Sequence, residues 1–71
     1  MVLKITLDTQ ADAAYIYLKE IVAGEVAKTI SLNDSLNVDL DVEGQLLGIE
    51  VLNASSNLPS NTIKSAEIIS V

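Results

Sequence analysis

The chain has 71 residues, with Lys+Arg 4, Asp+Glu 10, no Cys and no His, for a formal net charge of −6. This composition excludes a disulfide framework, a zinc site built on Cys or His, and a thiol or imidazole catalyst. All four cations are Lys, which argues against nucleic-acid binding through phosphates.

The dominant sequence period is two. Leu3, Ile5 and Leu7 alternate with Val2, Lys4 and Thr6. Successive side chains of a strand point to opposite sheet faces, so this pattern predicts a half-buried strand. Asp8 to Ala13 follows as a connection long enough for one helical turn, with Asp8 as its cap. Ala14, Ile16 and Leu18 then alternate with Ala13, Tyr15, Tyr17 and Lys19. Directly opposed residues of a hairpin share a face, which pairs Leu7 with Ala14, Ile5 with Ile16 and Leu3 with Leu18. Glu20 to Glu25 is a longer link containing Gly24.

Ile30 and Leu32 alternate with Thr29 and Ser31, and Lys28 falls in phase with them, so it is expected near a strand end. Asn33-Asp34-Ser35 is a turn by composition, and parity aligns Leu32 with Leu36 across it. Leu36, Val38 and Leu40 alternate with Asn37, Asp39 and Asp41. Leu47, Ile49 and Val51 alternate with Leu46, Gly48, Glu50 and Leu52. Parity sets Leu40 opposite Leu47, Val38 opposite Ile49 and Asp39 opposite Gly48. That needs an even-length loop around Glu43-Gly44, where Gly supplies φ > 0. The tail changes character: Ser55 to Asn61 reads as a linker or cap, Pro59 suits a helix start, and Ile63, Ala66, Glu67 and Ile69–Ser70 give a helical stripe; Ile68, Ile69 and Val71 equally suit a short strand, and the helix is the favoured reading.

The expected fold is mainly β: a five-stranded antiparallel meander, a short helical turn after the first strand and a short C-terminal helix. Residues 1–55 form the sheet domain, and residues 56–71 form a tail packing on the sheet or on a dimer partner. Short links favour the meander. A domain of this size gains little from a lone core, so a second copy packed face to face is expected. No apolar run approaches the ~18 residues of a membrane span. Met1-Val2-Leu3-Lys4 lacks signal-peptide features, so a soluble cytoplasmic protein is expected.

Four constellations bear on chemistry. Asp39-x-Asp41-x-Glu43-Gly44-x₅-Glu50 nearly reproduces an EF-hand calcium loop, but strand alternation flanks it where helices are required. The favoured reading is an acidic strand face with a Gly turn. From Thr29 to Ile63 there are five carboxylates, namely Asp34, Asp39, Asp41, Glu43 and Glu50, and no Lys. Such a stretch either solubilises a face or meets a basic protein partner. Tyr15 and Tyr17 share a face opposite the aliphatic stripe, where paired tyrosines cover a sheet or join an interface. Asp8 and Asp12 bracket the first turn, and capping accounts for Asp8. No nucleophile sits beside a base, and three scattered glycines make no phosphate loop.

Leu3-Lys4-Ile5-Thr6-Leu7-Asp8, then Ala11-Asp12-Ala13-Ala14-Tyr15-Ile16-Tyr17-Leu18, resembles the opening of the YuzE-like family of small bacterial domains of unknown function. Asn37 to Asp41, with Glu43-Gly44-Gln45-Leu46-Leu47-Gly48-Ile49-Glu50-Val51-Leu52-Asn53-Ala54-Ser55, resembles its closing hairpin. The resemblance covers roughly residues 3 to 55. Thr9 stands where that family usually has Pro, and the link from Lys19 to Val26 is longer than usual. The resemblance implies an antiparallel sheet with a short helical turn, and it carries no catalytic residues. Family members thought to lie beside genes for toxin-like proteins imply the acidic role in a toxin–antitoxin-like pair.

The reading that results is a non-enzymatic homodimeric interaction module. Its alternatives are an acidic antitoxin-like partner of a small basic toxin and a small-molecule or divalent-metal binding domain. The expected interaction surface comprises Asp8, Asp12, Tyr15, Tyr17, Asp39, Asp41 and Glu50. No catalytic, cofactor-binding or metal-ligating residue is assigned, and neither nucleic acid nor membrane is an expected partner.

Overall fold

A computed structural model describes residues 4–69 of the chain. Its elements are β1 (Lys4–Asp8), β2 (Ala13–Tyr17), β3 (Lys28–Ser31), β4 (Leu36–Leu40), β5 (Leu46–Leu52), α1 (Ala54–Asn57), α2 (Ser60–Ser65) and β6 (Glu67–Ile69). They make a six-stranded mixed sheet in the order β3-β4-β5-β2-β1-β6.

The hairpin registers follow from parity. Ile5 faces Ile16 and Leu7 faces Ala14 across β1 and β2; the Leu3–Leu18 pair lies outside the described residues. Ile30 faces Val38 across β3 and β4. The turn between them is held by Asn33, whose Oδ1 accepts from the Ser35 and Leu36 amides at 2.7 and 3.0 Å. Lys28 opens β3 with its side chain exposed.

The expected five-stranded antiparallel meander needs three corrections. β2 pairs with β5, not with β3, because the link from residue 18 to 27 carries the chain across to the far edge of the sheet. Local connectivity favours a meander, but burying β2 and β5 against each other gives two central strands covered on both edges. A sixth strand, β6, adds to β1 in parallel, Leu7 facing Ile68; the tail therefore supplies both a helix and a strand. The expected helical turn after β1 is a tight turn instead, in which the Asp8 carboxylate accepts from the Gln10 and Ala11 amides.

The last hairpin also differs. Its loop is odd, Leu40 faces Leu46 rather than Leu47, and a bulge restores Asp39 opposite Gly48 and Val38 opposite Ile49. One extra residue, Leu47, absorbs the parity error that an odd loop would otherwise spread along β5. Gly44, at φ 85, supplies the left-handed turn residue. The Asp41 Oδ1 holds the loop by accepting from the Glu43 and Gln45 amides.

One sheet face is aliphatic. Leu7, Ala14, Val51 and Ala54 are buried together, and Leu58, Ile63 and Ala66 from the helical segment pack on them. Beside that cluster Ile5, Ile16, Ile49, Val38 and Ile30 pair in register across five strands. All five are only half-buried.

Candidate functional site

The opposite face carries the expected tyrosines and two of the expected carboxylates. Two rows cross it in register. One runs Thr6, Tyr15, Glu50, Asn37, Ser31, and the other Lys4, Tyr17, Gly48, Asp39, Thr29. Alternation alone sets these residues on one face.

Tyr15 does not stand upright above its neighbour Glu50. Its ring lies diagonally over β5, and its hydroxyl donates to Asp39 Oδ2 at 2.5 Å. The glycine beneath it makes this possible: a Cβ at Gly48 would clash with the Tyr15 Cε1 and hydroxyl. An isolated Gly inside a strand is the sequence signal for such a close approach. It was present at Gly48 and marks a residue that the expected surface omits. Asp39 is engaged on both oxygens, since Oδ1 accepts from the Thr29 hydroxyl at 2.6 Å. Glu50 accepts from the Asn37 side-chain amide at 2.9 Å. Burial, then the hydrogen bond donated to Asp39, then the nearby carboxylate charge hold the Tyr15 hydroxyl neutral well above the ordinary tyrosine range.

Tyr17 completes the platform. Its ring centroid lies 4.7 Å from that of Tyr15 at an interplanar angle of 52°. Lys4 places its Nζ 5.4 Å from the Tyr17 centroid, within cation–π range. A cavity of about 370 Å³ adjoins this edge, lined by Lys4, Tyr17, Lys19, Glu20 and Ile21. Lys19 pairs with Glu25. The hydrogen bond from Lys19, and then that from the Val22 amide, lower the Glu25 pKa.

The other expected surface residues are not brought here. Asp8 and Asp41 serve their own turns, as described above. Asp12 ties two distant segments together. Its Oδ1 accepts from the Ser55 amide at 3.0 Å, its Oδ2 from the Ser55 hydroxyl at 2.7 Å, and its carbonyl from the Ala54 amide at 2.9 Å. Asn53, at the α1 N-cap, makes no side-chain capping bond. Asp12 therefore caps α1 from 43 residues away. Both Asp12 and Asn53 adopt left-handed backbone conformations, at φ 52 and 51.

The calcium-loop motif is thus dispersed. Asp39 is bound by Tyr15 and Thr29, Asp41 by its turn, and Glu50 by Asn37. Among the described residues no three carboxylates are grouped to hold a metal ion. No described helix is long and apolar enough to cross a membrane.

Residues 4–55 match a protein family described as a protein of unknown function, DUF2283. The match runs from the start of β1 to the Ser55 that Asp12 holds, so α2 and β6 lie beyond it. The chain belongs to this family. Neither the curated proteins nor the solved structures yield a match.

Proposed function

We propose that this DUF2283 member is a non-enzymatic, cytoplasmic interaction module that works as a homodimer. The observation that supports this is the aliphatic row Ile5, Ile16, Ile49, Val38, Ile30, half-buried within one chain and free of any polar side chain. Two such rows packed face to face would remove from water the apolar surface that a small core leaves exposed. The polar face, which presents Tyr15, Tyr17, Asp39 and Glu50 together, is consistent with a binding role. The YuzE-like assignment, and with it a bacterial source, belongs to the same proposal.

Light scattering coupled to gel filtration, across a concentration series, tests the oligomer. The expected result is a mass of twice 7.5 kDa, shifted toward the monomer by Val38→Lys with circular dichroism unchanged. A monomer throughout the series overturns the reading. A second reading, small-molecule binding, is favoured by the cavity beside Lys4 and Tyr17. A ligand screen by thermal shift, with Tyr17→Ala abolishing the response, would support it.

A further inference from the structure

The tyrosine-bearing face has been narrowed by its geometry. Asp8, Asp12 and Asp41 are committed to turns and a helix cap, which leaves Tyr15, Tyr17, Asp39 and Glu50 as the groups presented together. We propose that this face docks an arginine- or lysine-bearing segment of a protein partner, with a cationic head on the Tyr17 ring and the Asp39 and Glu50 carboxylates beside it.

Three observations carry this. First, the platform is built in advance. The Tyr15 ring is clamped between the Gly48 backbone and the Asp39 carboxylate, and Tyr17 leans on it. A fixed aromatic surface loses little conformational entropy on binding. Second, the face is electrostatically unbalanced. Among the described residues Asp39 and Glu50 receive hydrogen bonds from the neutral groups of Tyr15, Thr29 and Asn37, the ion pair is Lys19–Glu25, and the cation of this face, Lys4, lies over the Tyr17 ring. A cationic partner complements them; an anionic or nucleic-acid partner does not. Third, the ring already holds a cation of the chain itself. Lys4 sits over Tyr17 at a distance where the ring quadrupole attracts an ammonium. A partner's cationic head would take the same position and displace it.

Tyr15 and Tyr17 are the only aromatics of the chain, so tyrosine emission reads the site directly. The experiment titrates the protein with a hexa-arginine peptide at low ionic strength, with hexaglutamate as control. Hexa-arginine is expected to change the emission and hexaglutamate is not. Tyr17→Leu should weaken binding about two- to five-fold. Asp39→Asn, which keeps an oxygen for the Tyr15 hydroxyl, should weaken it similarly. Lys4→Ala, a change at an exposed position, should tighten binding, whereas Lys64→Ala, which removes the same charge from α2, should not. Three results overturn the proposal: no response at millimolar hexa-arginine, equal binding of hexaglutamate, or a folded Tyr17→Leu that binds as wild type does. The proposal stands apart from the dimer, since a monomer that binds keeps it and a dimer that does not bind loses it.

Discussion

Leu47 and Gly48 are neighbours on β5, both buried, and they face opposite sides of the sheet for opposite reasons. Leu47 is 2% exposed because an aliphatic side chain leaves water. Gly48 is buried because a tyrosine ring rests on its backbone. The aliphatic face is held by apolar volume, which many side chains of similar size can fill. The polar face is held by directed contacts, Tyr15 to Asp39, Thr29 to Asp39 and Asn37 to Glu50, which few substitutions preserve. One face should therefore tolerate changes of shape at constant volume, and the other should not tolerate an added methyl group.

The largest expected effect is on the aliphatic side. Leu47→Ala should cost about 2–5 kcal/mol in urea unfolding, while Leu47→Met should cost less than about 1.5 kcal/mol. Equal losses for the two would break the comparison. Next is Gly48→Ala, expected to cost about 1–3 kcal/mol through the clash with Tyr15. In a Tyr15→Ala background the same change should be near neutral. A double-mutant cycle gives this coupling, and additivity would show that the ring is not what requires glycine.

Asp12→Ala should cost about 1–2 kcal/mol, because α1 loses its remote cap. Asp12→Asn should recover most of that loss, since it retains an acceptor and tolerates the left-handed backbone. Faster hydrogen exchange at the Ser55 amide in Asp12→Ala is the local readout. The smallest effect is Tyr15→Phe, about 1 kcal/mol at neutral pH, and it carries a pH signature. The unfolded chain releases the tyrosine proton near pH ~10, while the folded chain keeps it to higher pH. The contribution of Tyr15 is therefore complete below that pH and is lost as pH rises above it. Alkaline titration of the unfolding free energy should fall less steeply in Tyr15→Phe than in the parent chain.

The registers within β1–β2 and β3–β4 were legible because a strand period of two leaves few ways to keep one face apolar. The order of strands was not. Parity allows Ile16 to sit opposite any in-phase aliphatic, and nothing local distinguishes Ile30 on β3 from Ile49 on β5. The bulge at Leu47 escaped for a related reason, since parity assumes an uninterrupted ladder. β6 spans only Glu67–Ile69, too short to display a period. At the site, alternation brought Tyr15, Tyr17, Asp39 and Glu50 to one face. The bonds that define their roles, Tyr15 to Asp39 and Asn37 to Glu50, join residues 24 and 13 positions apart, beyond the reach of any local pattern. Gly48 was the readable exception, because an isolated glycine in a strand announces a close neighbour.

β5 has a consequence for how the chain reaches its fold. The β1–β2 and β3–β4 hairpins have no strand pairing with each other, and β5 is the strand that lies between them. An isolated two-stranded hairpin is marginal in water. As the polypeptide emerges from a ribosome, both hairpins are complete before the strand that unites them has been made. The two hairpins are therefore joined late, when residues 46–52 enter the gap and Ser55 reaches Asp12. Until then the two halves of the aliphatic row remain open to water and to any other nascent chain nearby.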